Sequence, residues 1–148
     1  MHNNEWFRVE KNCCSFNNPA IWRLEQVACL GISTARDLAK IFALMLSGKL
    51  LSKDLSKQFV QPELLNRRDV VVGVPFSKGH GFMYERHPTK AKKWLYGHQG
   101  YGGSTLMIEP EEELVIAYVS NSIKTGTGEL GRCYRLMRNA ALDCAIKI

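Results

Sequence analysis

The chain has 148 residues, 45% of them hydrophobic and 23% charged, which is enough for one globular domain with its own core. A formal charge of +6 raises the question of a nucleic-acid partner, but the cations are scattered. No apolar run approaches the roughly 18–20 residues of a membrane-spanning helix, so no membrane partner is expected.

The opening "MHNNEWFRVEKNCCSF" lacks the basic-then-apolar build of a secretory signal. The five cysteines form an odd set with no zinc spacing, and adjacent Cys13 and Cys14 cannot easily clasp one metal. Cys133 and Cys144 return to one stripe of a helical stretch and are expected as buried thiols. No metal site and no cofactor are expected, and a reducing, intracellular (cytoplasmic) setting fits best.

Little periodicity marks the first thirty or so residues, where "FNNPA" reads as loop. A helix then opens at "STARDLAKIFALMLSGK", with Thr34 as N-cap, Asp37 completing a capping box and Gly48 as the stop. Ala35, Leu38, Phe42, Met45 and Leu46 mark its buried face. A short second helix follows Ser52, with Leu55 and Phe59 inward. "NRRDVVVGVPFSKG" is a strand or loop broken by turns, and "HGFMYE" alternates as a strand does.

Three further strands follow, "KWLYGH", "STLMIEP" and "LVIAYVSN", with "EPEEE" as the charged turn between the last two. The run "KAKKWLY" (Lys90, Lys92, Lys93, Trp94, Tyr96) mixes cations with rings. It reads as a solvated loop entering a strand with core aromatics, so no nucleic acid is expected. From Glu129 the pattern is helical, with Leu130, Cys133, Tyr134, Met137, Ala141 and Cys144 as the stripe and Arg132, Arg135 and Arg138 off it. The class is α+β: a helical segment at 17–62, antiparallel strands at 70–123, and a C-terminal helix at 129–147 packed on one sheet face.

The chemistry concentrates in "GHQGYGGS". A strand ending in His98-Gln99-Gly100 places an ionisable ring at its tip. Gly100 then lets a ligand approach the backbone, and the Tyr101 amide can serve as an oxyanion donor. Gly102 and Gly103 supply the tight turn onward. Taken alone, such a triad reads first as a glycine-rich hairpin with a satisfied surface histidine; its context changes that.

"YGHQGYGGSTLMIEPEEELVIAYVSNS", the preceding "GHGFMYE" and the upstream "NNPAIWRLEQVACLGISTARDLAKIFALMLSGKLLS" together resemble the serine β-lactamase-related proteins. These are class C β-lactamases, D-alanyl-D-alanine peptidases and esterases of the same fold. The resemblance runs from Asn17 to Cys144. It implies the C-terminal part of a β-lactamase/transpeptidase-like fold, with the triad on the inner edge strand, followed by two antiparallel strands and a helix.

Carried over by position, His98, Gly100 and the Tyr101 amide are catalytic, while Gln99, Gly102 and Gly103 contact substrate. His98 takes the place of the lysine of a Lys-Thr-Gly triad, which leans toward ester substrates over anionic β-lactams. Gln99 stands where a threonine usually meets a substrate carboxylate, and Leu30 where an asparagine often precedes Gly31.

The family nucleophile is the serine of a Ser-x-x-Lys turn. None of Ser15, Ser33, Ser47, Ser52, Ser56, Ser77, Ser104, Ser120 or Ser122 has a lysine three residues on. Tyr118-Val119-Ser120 matches a Tyr-x-Ser element formally but falls inside an apolar strand, where packing demands that register. The resemblance thus implies a fragment or pseudoenzyme that takes an ester or amide substrate only when completed by an N-terminal half. Such a fragment exposes a strand edge and an apolar face, so self-association is expected.

Overall fold

The computed structural model describes residues 17–28 and 30–145; Cys13, Cys14, Ser15 and Lys147 lie outside them. The chain divides into two compact units, one ending at Ser33 and one running from Thr34 to Ile148. In the first unit "FNNPA" is not all loop. Asn18 Oδ1 accepts from the Ala20 amide at 2.9 Å and Pro19 opens a one-turn helix, α1 (Pro19–Trp22). An Asn cap followed by Pro at the first helical position favours such a turn.

The second unit begins with α2 (Ala35–Leu46). Thr34 Oγ1 accepts from the Asp37 amide at 3.1 Å and donates to the Asp37 carboxylate at 2.7 Å. Beyond Ser47 the chain leaves the helix at Gly48, whose φ of +82° suits glycine. Ser52 caps α3 (Lys53–Lys57), and a 3₁₀ turn (Gln58–Val60) follows. Phe59 is buried as expected, whereas Leu55 faces solvent at 39% exposure. Switching to the tighter 3₁₀ period after Lys57 turns Phe59 inward without its helical partner.

Six strands form one antiparallel sheet in chain order: β1 (Leu64–Arg68), β2 (Pro75–Gly79), β3 (Phe82–Arg86), β4 (Trp94–Gln99), β5 (Thr105–Glu109) and β6 (Leu114–Tyr118). The sheet therefore starts at Leu64, ahead of the expected 70. After a 3₁₀ turn (Gly128–Leu130), α4 (Arg132–Ala145) closes the described chain. Among the described residues, no helix is long and apolar enough to cross a membrane.

Strand alternation divides the core in two. On one face Tyr84, Trp94, Tyr96, Leu106 and Ile108 pack with Met45 of α2 and Phe59. Tyr84 donates its hydroxyl to the Phe59 carbonyl at 2.8 Å, and burial pushes that phenol up to about 12. On the other face Leu95, Met107 and Ile116 pack with Tyr134 and Leu142 of α4.

The buried stripe of α4 differs from the expected one. Tyr134, Arg138 and Leu142 point inward, while Leu130 is 74% exposed and the Cys133 and Cys144 thiols lie at the surface. Arg138 lies four residues from both Tyr134 and Leu142, so it shares their face. Glu85, buried on the sheet, supplies the counter-charge that lets a guanidinium enter the core.

In "KAKKWLY" the Trp94 and Tyr96 rings are core. Lys90 pairs with Glu109, Glu111 and Glu112, and Lys93 with Glu111. The β1 and β6 edges each lack a strand neighbour among the described residues.

Candidate active site

The resemblance led us to expect the triad on an edge strand, but β4 is interior, paired with β3 on one side and β5 on the other. The hairpin of β2 and β3, closed at His80-Gly81, covers the side where an edge was expected. Its ladder onto β4 runs from Arg86↔Trp94 to Met83↔Gly97 and stops there. The ladder with β5 continues to His98↔Leu106 and Gln99↔Thr105. The tip of β4 thus overhangs β3 and, among the described residues, has one strand neighbour only.

Gly97 is required where the two ladders part, because a Cβ there would overlap the Leu106 carbonyl. Strand parity then sends consecutive side chains to opposite faces. His98 falls on the α2 face, exposed, and among the described residues its ring has no protein partner.

Gln99 falls on the α4 face. Its Nε2 donates to Glu85 Oε1 at 3.0 Å, so its amide is engaged within the protein. Beyond the last ladder pair, the Gly100 amide donates to the Ser104 carbonyl at 2.7 Å and the Gly103 amide to the Gly100 carbonyl at 3.2 Å. Tyr101 stands inside this turn with its side chain 68% exposed.

Gly102 and Gly103, at φ of +89° and +100°, are both buried. A Cβ on Gly103 would come within 3.0 Å of Lys124 Cβ, and one on Gly102 within 3.5 Å of the Ile123 backbone. The Lys124 amide donates to the Gly102 carbonyl at 2.9 Å. These two glycines therefore dock the turn onto the 123–126 segment. The literal string Lys124-Thr125-Gly126 escaped the sequence reading; it lies outside any strand and braces the turn.

Tyr118 packs its ring against Tyr134 with centroids 6.2 Å apart, so the Tyr-x-Ser string serves the α4 interface. A groove of about 570 Å³ opens along β1, β2 and β3 and reaches Gln99, Thr127 and Glu129. His98 does not line it. Among the described residues, no group of His, Cys, Asp or Glu could hold a metal ion.

A family model described as Beta-lactamase matches residues 8–140. The chain belongs to the beta-lactamase family. A search of curated protein sequences finds no match. The match takes in both the α2 segment and the whole His98–Ser104 turn.

In this beta-lactamase-family chain the sequence reading missed the group that backs the site. Glu85 Oε2 accepts from Arg138 Nη1 at 2.5 Å and from the Tyr134 hydroxyl at 3.1 Å. Arg138 Nη1 also reaches Glu129 Oε1 at 3.0 Å. Burial pushes the Glu85 carboxyl above its ordinary range, against the pull of Arg138. Burial presses the Arg138 guanidinium down, but Glu85 and Glu129 together carry it above its usual value. The legible signal was a glutamate in the middle of "GFMYER", on a strand buried on both faces.

Proposed function

We propose that the chain is the C-terminal portion of a beta-lactamase-related serine hydrolase. It contributes the His98–Tyr101 wall of an acyl site and is inactive without an upstream Ser-x-x-Lys. Completed, the site hydrolyses an ester or amide through an acyl-serine. His98 supplies a hydrogen-bonding ring beside the nucleophile. Gly100 admits the substrate carbonyl, and the Tyr101 amide stabilises the oxyanion. With Gln99 turned away, residue 99 offers no group to a substrate carboxylate, which favours uncharged esters.

The observation that carries this reading is the overhang of β4. Tyr101 lies past the last ladder pair, Gln99↔Thr105, in the turn closed by the Gly100 amide on the Ser104 carbonyl. A serine-reactive phosphonate tests it. The 148-residue chain stays unlabelled, while a longer form carrying the Ser-x-x-Lys is labelled on that serine; labelling of the shorter chain overturns the proposal.

A second reading is a non-catalytic pseudoenzyme that self-associates. It rests on apolar side chains in and just after edge strand β1: Leu64 and Leu65 are more than half exposed and Val70 is 97% exposed. Sedimentation of a single monomeric species across micromolar concentrations would remove that reading.

A further inference from the structure

The overhanging tip of β4 poses a mechanical problem. Among the described residues, the strand has a neighbour on one side only from His98 onward, yet an oxyanion donor has to be held within a few tenths of an ångström to act. We propose that Gln99 is a positioning residue, clamped between Glu85 and Gly128, through which α4 fixes the His98–Tyr101 wall. This inference rests on the acyl-site reading of that wall.

The clamp has two jaws. On one side Gln99 Nε2 donates to Glu85 Oε1 at 3.0 Å. Glu85 is itself buried, 3% exposed, with its second oxygen taken by Arg138 and Tyr134 of α4. On the other side stands Gly128, at φ +52°, where a Cβ would overlap the Gln99 amide group. That glycine's segment is tied to α4 as well, because Glu129 pairs with Arg138 at 3.0 Å. Both jaws therefore close on one guanidinium, and the amide they hold belongs to the residue between His98 and Gly100.

An amide suits this place better than an acid or a hydroxyl. It donates to a carboxylate that already has a cation, adding no charge to a buried site. A threonine hydroxyl, shorter by two atoms, would not span the gap to Glu85. The middle position of the triad has thus been turned from the substrate to the scaffold.

Backbone amide exchange, followed by NMR on the 148-residue chain, reads the clamp directly. In Gln99→Met, which keeps bulk and loses the donor, protection of the Gly100 and Gly103 amides falls about tenfold or more, as for one lost bond to a charged acceptor. The β5–β6 ladder amides keep their protection. Gln99→Glu adds a pH profile that mere bulk would not produce. The groups around it are Glu85 from β3, Tyr134 and Arg138 from α4, and Glu129 beside Arg138. Near neutral pH the new carboxylate repels Glu85 and the turn loosens. As the pH falls the carboxyl protonates, can donate to Glu85, and protection returns.

Unchanged protection in Gln99→Met, or a pH-independent loss in Gln99→Glu, overturns the clamp. The phosphonate result is separate: a clamp that behaves as described on a longer form that never labels would sink the hydrolase reading and leave the clamp standing.

Discussion

Arg138→Met is the most demanding test of the buried network. The two side chains of the Glu85–Arg138 pair are 2% and 3% exposed, so solvent screening offers little relief. Methionine fills much of the same volume and leaves Glu85 with only the Gln99 and Tyr134 donors. Breaking such a pair from one side costs roughly 3–5 kcal/mol, out of a total that is commonly about 5–15 kcal/mol. The cost depends on pH, and its sign follows from the direction of the Glu85 shift. Burial raises that carboxyl above 4.5, and loss of the guanidinium raises it further.

A carboxyl raised in the fold contributes stability that is present below its unfolded pKa and lost as the pH rises through its folded one. The Arg138→Met deficit is therefore largest near pH 7 and shrinks toward pH 4.5. Urea unfolding followed by tryptophan fluorescence across that range measures it. Adding Glu85→Gln to Arg138→Met removes the stranded charge and recovers most of the loss at neutral pH. A variant within about 1 kcal/mol of the parent at pH 7, or a deficit that grows on acidification, would mean that Glu85 does not depend on this guanidinium.

Two other outcomes follow from single sites. Gly97→Ala forces a methyl against the Leu106 carbonyl and lowers stability by about 1–3 kcal/mol, read as a drop in Tm; an unchanged Tm would mean the strands are not so close. His87 is buried, its Nδ1 accepts from the Lys90 amide at 2.9 Å, and among the described residues its Nε2 has no partner; burial depresses its pKa below 6.5. Its stabilising share is then present above 6.5 and lost as the pH falls through the depressed value. His87→Asn should flatten the unfolding midpoint between pH 7 and 5, and an unaltered slope would exclude this site as its source.

Much of the sheet was legible because its strands are short, β-branched or aromatic, and separated by glycine or charged turns. The α2 cap was legible for a similar reason, since the Thr34–Asp37 bond is local. What sequence could not yield was anything decided across the sheet. Arg138 looked like a solvated charge because helical periodicity counts apolar residues and cannot see Glu85 on a strand 53 positions earlier. Leu55 and the two helix cysteines were misplaced for the same reason: each lies near the border of a stripe whose centre is set by tertiary partners. At the site, parity alone could have separated His98 from Gln99, but nothing in "HQG" reveals that the glutamine has a buried carboxylate within reach.

The sheet's strand order equals its order in the chain, so each ladder joins neighbouring segments and can zip with little loop closure. The Glu85 and Glu129 contacts of Arg138 are different, because they wait for α4. During synthesis the meander can assemble early, while the His98–Tyr101 corner stays loose until α4 has emerged and docked. The order of that corner is therefore tied to the docking of α4, a contact made across the sheet and not along the strand.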